Sequence, residues 1–179
     1  NDYDFRTFGG TPGDGSGVHS SQGGHASLVN TTVSGNVGDG VFATDGGLVS
    51  TWFNTITNNS GSGATAIPGE TEPFPTEDGL VFITATIISG NGDDDCSGNM
   101  VTSGFNLIGN DTNCVLGPVA NPNDIIGTNL APVDPLLGPL QDNGGRTPTH
   151  AIDENSPAFD AAGPDVQGLP CFDFSNDQR

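Results

Sequence analysis

Three adjacent carboxylates, Asp93, Asp94 and Asp95, form the densest charge cluster in the sequence. They follow Gly92 and precede Cys96, so the pattern predicts a turn. Carboxylates this close repel one another unless solvent or a cation intervenes. Calcium takes several oxygen ligands in loose geometry and would suit them, although no spaced Asp-x-Asp-x-Asp-Gly loop with a closing Glu is present. Calcium is the one cofactor that the sequence suggests, and the alternative is an acidic surface that keeps the protein soluble.

The same cluster is similar to the Asp-Asp-Cys segment of polygalacturonases, where an acid and a base act on the glycosidic bond from opposite sides. The Asn-Thr-Asp, Gly-His-Gly and Arg-Ile-Lys segments of that family do not occur in this sequence. Lyases generally need a basic residue to abstract a proton. The chain has no lysine, three arginines (Arg6, Arg146, Arg179) and three histidines without a nucleophile elbow (His19, His25, His150). We therefore expect no enzymatic activity.

Two neighbouring aromatic residues, Trp52 and Phe53, are candidates for contact with a glycan. Aromatic rings present flat apolar surfaces on which sugars stack. The alternative is that both rings fill the core. We expect the core role, and keep the glycan-binding face as the second interpretation.

The charge balance excludes some partners. With 22 acidic residues, the chain has a formal net charge of −19, so nucleic acid and anionic membranes are repelled. No apolar run reaches the roughly 18 residues of a membrane span. Cationic partners, divalent metals among them, remain compatible with the sequence.

Three cysteines bear on the compartment. Cys96 and Cys114 are spaced to form a disulfide that closes one coil, with two reduced, buried thiols as the alternative. A disulfide predicts an oxidising environment, and hence a secreted or cell-surface protein. Cys171 has no obvious partner.

A repeated pattern predicts the fold. Four short apolar or β-branched runs end in a polar corner with asparagine last, and their asparagines are 23, 32 and 19 residues apart. Repeats of this length, with nothing long enough for a crossover helix, predict parallel strands wound into a β-solenoid. The four copies are Thr32-Val-Ser-Gly-Asn36, Thr55-Ile-Thr-Asn-Asn59, Ile87-Ile-Ser-Gly-Asn91 and Asn106-Leu-Ile-Gly-Asn110.

Stacked coils would align equivalent residues in columns. We expect a corner column of hydrogen-bonded asparagines and a matching inward column of apolar residues. The asparagine column is Asn36, Asn59, Asn91 and Asn110, and the inward column is Val33, Ile56, Ile88 and Leu107. The alternative for the asparagines is simple turn propensity.

The chain is expected to be one all-β domain. Residues 1–25 would form an N-terminal cap or first coil, and residues 26–116 the coils. Proline and acidic residues predict an inserted loop at 63–79. Residues 117–179 are rich in proline yet keep apolar residues, and predict an irregular segment that caps the open end of the solenoid.

The chain from about Ala26 to Arg179 resembles the choice-of-anchor Q domain, most specifically in its C-terminal part, and its upstream repeats are similar to those of polymorphic outer-membrane and other adhesin-like β-helices. The resemblance is carried by Asp95-Cys-Ser-Gly98, Ser103-Gly-Phe-Asn-Leu-Ile-Gly-Asn-Asp-Thr-Asn-Cys114, Asp134-Pro-Leu-Leu-Gly-Pro-Leu-Gln-Asp-Asn-Gly-Gly145, Thr147-Pro-Thr-His150, Asn155-Ser-Pro-Ala-Phe-Asp160 and Asp177-Gln-Arg179. It implies a right-handed parallel β-helix of the pectate-lyase type in a secreted or surface protein of bacteria or archaea. The family pattern usually has proline at Arg146 and continues past Arg179 to another cysteine, so we expect a longer chain that supplies the partner of Cys171.

The functional expectation follows from these points. We expect a non-enzymatic extracellular structural or adhesive protein that forms homo-oligomers or filaments, or binds extracellular glycan or matrix. The alternative is a polysaccharide-binding module, or a polysaccharide lyase or hydrolase, on the same scaffold.

Overall fold

The structure is a computed structural model that describes residues 15–69, 77–117 and 121–162. Across these ranges the chain is all-β, with fifteen strands and no helix. Strands β1–β13 pair in parallel and wind as a nearly closed solenoid, whereas β14 and β15 form an antiparallel pair. The prediction of an all-β solenoid of parallel strands is confirmed.

Three strands make up each of the first three coils. The first coil has β1 (Val18–Ser20), β2 (His25–Val29) and β3 (Thr32–Ser34). The second has β4 (Val41–Ala43), β5 (Leu48–Trp52) and β6 (Thr55–Thr57). The third has β7 (Ala64–Ala66), β8 (Leu80–Thr84) and β9 (Ile87–Ile88).

The fourth coil merges two strands into one. Its β10 (Cys96–Thr102) pairs with both β7 and β8, and β11 (Leu107–Ile108) follows. The fifth coil has β12 (Cys114–Leu116) and β13 (Ile125–Ile126), and the antiparallel pair comprises β14 (Leu137–Gln141) and β15 (Thr149–Ile152). Strands β3, β6, β9, β11 and β13 form a five-stranded second sheet, and the other parallel strands form the first sheet.

Charge is confined to corners and loops. None of the fifteen strands in the described ranges contains an Asp, Glu or Arg, and β-branched and other apolar residues predominate in them. A β-branched side chain packs well on a pleated surface, and a carboxylate between stacked strands would meet its equivalent one coil away. The strands therefore stack without like-charge repulsion.

The inward column is Val33, Ile56, Ile88 and Ile108, which pair in register. The prediction is confirmed for the first three and wrong for Leu107, which pairs with Ile87. Counting back from Asn110 misplaced the fourth copy by one residue, and a one-residue slip moves a strand side chain to the opposite face. Ile108 belongs to the core cluster, and Leu107 does not.

The inserted loop is shorter than predicted. Ala64–Ala66 is strand β7, stacked on β4, so the prediction of a loop from residue 63 is wrong for these residues. The Gly79 N–H donates to the Ile67 carbonyl at 2.9 Å, so the two ends of the insertion lie side by side. Residues 70–76 of the predicted loop lie outside the described residues.

The C-terminal segment lies along the side of the solenoid. The His150 ring is 2.9 Å from the Ser34 hydroxyl, so β15 packs against the outward side of β3 in the first coil. Ile87 and Leu107, which face outward from the second sheet, are buried without joining the core cluster. Within the segment predicted to cap the open end, residues 117–179, β13 continues the winding and β15 contacts the first coil through His150 and Ser34.

Parts of the predicted segments lie outside the described residues. Of the N-terminal segment 1–25, residues 15–25 belong to the first coil, and residues 1–14 lie outside the described ranges. Residues 118–120 and 163–179, with Cys171 among them, also lie outside.

Candidate functional site

The structure separates the three adjacent aspartates. Asp93 is exposed, and Asp94 accepts a hydrogen bond of 2.9 Å from the Asn113 side chain. Asp95 is buried and accepts from Asn91. No group of three or more His, Cys, Asp or Glu side chains in the described part of the chain is arranged to hold a metal ion.

Asparagine side chains form a continuous ladder across the first three coils. Asn36 Nδ2 donates to Asn59 Oδ1 at 2.7 Å, and Asn59 Nδ2 donates to Asn91 Oδ1 at 3.0 Å. Asn91 Nδ2 then donates to Asp95 Oδ1 at 3.1 Å. The structure does not bring Asn110 into this ladder, since its side chain accepts from the backbone N–H and hydroxyl of Thr112.

A glycine column explains why the ladder ends at Asp95. Gly17, Gly40 and Gly63 precede Val18, Val41 and Ala64, which are in register. A Cβ on any of these glycines would lie 2.5–2.8 Å from the amide nitrogen of a ladder asparagine. Asp95 holds the equivalent position in the fourth coil, directly before Cys96. Its carboxylate therefore occupies the end of the ladder.

The ladder places a carboxylate in a buried environment. Burial raises the pKa of the Asp95 carboxyl above its ordinary value, and hydrogen bonds from Asn91 and from the Asn110 backbone oppose that shift without cancelling it. The nearby Asp94 charge raises the pKa further. The ionised form is thus less stable in the folded protein than in the unfolded chain.

A second polar column at another corner was not expected from the sequence. Thr31 N–H donates to Asn54 Oδ1 at 2.7 Å, and Thr86 N–H donates to Asn106 Oδ1 at 3.0 Å. Asn106 N–H donates in turn to Asp124 Oδ1 at 2.9 Å. The sequence pattern that could have predicted this column is a polar residue directly before each strand of the second sheet, including Asp124 before β13.

The predicted disulfide is present. It joins Cys96 to Cys114, whose Cα atoms are 5.2 Å apart. Cys96 is fully buried in the core, and Cys114 packs against that core from the fifth coil. The bond therefore ties the last two coils together across 18 residues.

The three histidines are dispersed and have structural contacts. His19 packs edge-on against Phe42, with ring centroids 4.9 Å apart. The His25 ring is 3.0 Å from the Ser50 hydroxyl, and His150 bridges Ser34 and the Gly138 carbonyl. None of these four contacts joins a histidine to a carboxylate, as a catalytic triad would require.

Strands β2, β5, β8 and β10 present one outward surface, which we call the uncharged face. Its residues alternate with inward core residues such as Val49 and Val81, and neighbouring strands are in register. Six apolar members are half-buried or exposed: Val29, Leu48, Trp52, Leu80, Phe82 and Val101. The polar members are His25, Ser27, Ser50, Thr84 and Asn99.

Trp52 and Phe53 lie outside the core cluster. Trp52 pairs with Val29 and Thr84 and is half-buried on the uncharged face. Phe53 is half-buried at the next corner with φ of 56°. The sequence favoured a core role for both residues, but neither belongs to the core cluster. The structure leaves part of each aromatic side chain accessible.

A cleft of about 670 Å³ lies at the fifth-coil end of the uncharged face. Its lining includes Leu80 and Val101 together with Glu77, Asp78 and Asn99. Asp78 is held in place by the Gly69 N–H, which donates to its Oδ1 at 2.8 Å. The lining therefore combines apolar side chains with carboxylate and amide groups.

Comparison with known proteins gives no match to a protein-family model, to a curated protein or to a solved structure. Within the described ranges, no helix is long and apolar enough to span a bilayer.

Proposed function

We propose that this chain is a non-enzymatic extracellular building block, a right-handed parallel β-helix that serves adhesion or assembly at a microbial surface or in its matrix. One observation carries the proposal: the charges of the described chain lie in corners and loops, which leaves flat, uncharged strand faces on a cross-linked solenoid. The resemblance to the choice-of-anchor Q domain supports the handedness and the location. End-to-end stacking of coils into filaments is a secondary part of the proposal.

Fractionation and immunogold labelling of the producing cells test the location. We expect label at the cell surface or in the matrix, and label confined to the cell interior would contradict the proposal. Reducing-sugar and unsaturated-uronate assays on pectin, alginate and other acidic glycans, with and without calcium, should be blank. Turnover that Asp94→Ala abolishes would establish an enzyme in place of a scaffold.

A polysaccharide-binding module is the second candidate. It is favoured by the accessible part of Trp52 on the uncharged face and by the cleft that Glu77, Asp78 and Asn99 line elsewhere on that face. Binding on a glycan array that is lost in Trp52→Ala and retained in Val37→Ala would support this candidate. Val37 is a suitable control because it is 80% exposed at a corner away from the uncharged face.

A further inference from the structure

Three polar side chains meet at the corner between β10 and β11. Thr102 is the last residue of β10, Asn106 directly precedes β11, and Asp124 directly precedes β13 in the next coil. The Thr102 hydroxyl donates to Asp124 Oδ2 at 2.5 Å. Asn106 Nδ2 donates to Thr102 Oγ1 at 2.8 Å and to Asp124 Oδ1 at 3.0 Å. A hydroxyl, a carboxylate and a carboxamide are therefore all within hydrogen-bond distance of one another.

These groups have the arrangement that acyl transfer requires. The Asp124 carboxylate can accept the Thr102 proton as a general base, because the two already share a hydrogen bond. The Thr102 oxygen is then a nucleophile beside the carbonyl carbon of the Asn106 side chain. Negative charge would develop on Asn106 Oδ1, which accepts from the Thr86 backbone N–H at 3.0 Å. Asn106 and Thr86 are each 1% exposed, so bulk water is kept from the reacting carbon.

We propose that Thr102 and Asn106 become joined by an ester bond that the folded chain forms by itself. Thr102 Oγ1 bonds to Asn106 Cγ while Asp124 Oδ2 takes the hydroxyl proton. The Cγ–Nδ2 bond then breaks and Asp124 returns the proton to the nitrogen, so that one ammonia leaves and the carboxylate is regenerated. Attack requires the carboxamide to turn its face toward Thr102, a rotation about a terminal torsion with a broad preference.

Other threonines of the described coils lack this combination. Thr51 is in register with Thr102 through Ile83, but its hydroxyl donates to the Phe82 carbonyl at 3.2 Å. The Thr112 hydroxyl donates to Asn110 Oδ1 at 2.7 Å, and neither side chain of this pair has a described hydrogen bond to a carboxylate. The Thr112–Asn110 pair is therefore an internal control that has the hydroxyl and the carboxamide without the base.

The ester would hold the corner that leads the fourth coil from the first sheet to the second. Residues 103–105 contain two left-handed positions, Gly104 with φ of 104° and Phe105 with φ of 60°. The Cys96–Cys114 disulfide already fixes the first residue of β10, and the ester would fix the last. The reaction occurs once in each molecule, so it adds a covalent constraint to the scaffold and no turnover of an external substrate.

Intact mass measurement and peptide mapping of the native full chain test the ester. We expect a mass lower by one ammonia than that of the disulfide-bonded sequence, and a peptide in which Thr102 and Asn106 are joined. Neutral hydroxylamine attacks esters and spares ordinary amides, so it should open the link and leave a hydroxamate at Asn106.

Variants assign the roles of the three side chains. Thr102→Val removes the nucleophile and Asp124→Asn removes the base, so both should have the full sequence mass. Thr102→Ser keeps a hydroxyl and should still lose ammonia, and the control Thr112→Val should lose it as the wild type does. Circular dichroism checks that each variant is folded, and the wild-type mass with hydroxylamine decides the question if Thr102→Val is not.

Two results would overturn the inference. One is a wild-type chain with the full sequence mass. The other is a loss of ammonia that persists in Thr102→Val or maps to Asn91 or Asn143, because each of these precedes a glycine and would form a succinimide instead. Neither result depends on the cell-surface labelling or on the turnover assays, so the ester and the proposed function can fail separately.

Discussion

Replacing Asn59 by alanine tests the asparagine ladder at its centre. The Asn59 side chain is 2% exposed and makes four hydrogen bonds. Its Oδ1 accepts from the backbone and side-chain N–H groups of Asn36 at 3.2 and 2.7 Å, and its Nδ2 donates to Asn91 Oδ1 at 3.0 Å and to the Val33 carbonyl at 3.2 Å. Alanine would remove all four bonds at once.

The expected cost follows from the number of bonds. A hydrogen bond contributes about 1 kcal/mol net, and partly exposed Asn36 and Asn91 regain some bonding to water, so Asn59→Ala should lower the free energy of unfolding by about 2–4 kcal/mol. For a chain of this size a loss of about 3 kcal/mol corresponds to a fall in Tm of about 6–12 °C. Urea denaturation and thermal melting followed by circular dichroism measure both quantities.

The neighbouring residue supplies the control. Asn58 is exposed and has φ of 56°, a conformation that glycine adopts freely. Asn58→Gly should cost less than about 1 kcal/mol. Asn59→Asp keeps the acceptor for Asn36 but turns an oxygen toward Asn91 Oδ1, so it should destabilise at least as much as alanine. The ladder account would be wrong if Asn59→Ala cost no more than Asn58→Gly.

Three further predictions follow from the same coils. Gly40→Ala should lower the free energy of unfolding in urea by about 1–3 kcal/mol, because its Cβ would lie 2.5 Å from Ile56 Cγ2 and 2.6 Å from the Gly63 carbonyl oxygen. The control is Gly138→Ala, whose Cβ would lie at least 3.6 Å from the nearest atoms; an equal loss of stability in the two variants would contradict this packing. Asp95→Asn should stabilise the protein at pH 7, because the pKa of Asp95 is raised in the folded state and the ionised carboxylate therefore costs stability above that pKa. The gain in stability should vanish below pH 3.8, the pKa of the carboxyl in the unfolded chain, and an equal gain at both pH values would refute the prediction. Replacing Cys96 and Cys114 together by alanine should lower the free energy of unfolding by about 3 kcal/mol relative to the oxidised wild type and by much less relative to the reduced wild type; a free thiol at Cys96 or Cys114 on mass analysis of the native protein would contradict the bond.

The repeated corners predicted the parallel solenoid because each copy joins a strand-forming run to a turn, and stacking is the arrangement that buries such copies together. The cysteine spacing predicted the disulfide for a similar reason. The register of the strands was harder to predict from the sequence. Two adjacent apolar residues, Leu107 and Ile108, do not reveal which of them faces inward, and only pairing with Ile87 and Ile88 decides it.

Other elements depend on contacts that the local sequence does not show. Ala64–Ala66 has little strand propensity of its own and is extended because it stacks between β4 and β10. Prolines predicted an irregular C-terminal segment, but its position over the second sheet depends on contacts such as His150 with Ser34, 116 residues away.

Two features of the candidate site could have been predicted from the sequence but were not. The Asn-x-Gly-x-Gly pattern occurs at Asn36 and again at Asn59, and its last glycine leaves room for the ladder asparagine of the next coil, Gly40 for Asn59 and Gly63 for Asn91. The pattern changes at Asn91, where Asp95 replaces the second glycine and ends the ladder. The uncharged face was also visible as strands without carboxylates. Its outward orientation required the register of four strands.

The scaffold role depends on coils that stack in parallel, and nuclear Overhauser contacts between β2 and β5 test that arrangement most directly. Val49 should contact Ala26, and Thr51 should contact Leu28, so the partner advances along the chain as β5 advances. Contacts that run in the opposite direction, with Val49 near Leu28 and Thr51 near Ala26, would show antiparallel strands and contradict the solenoid and the role built on it.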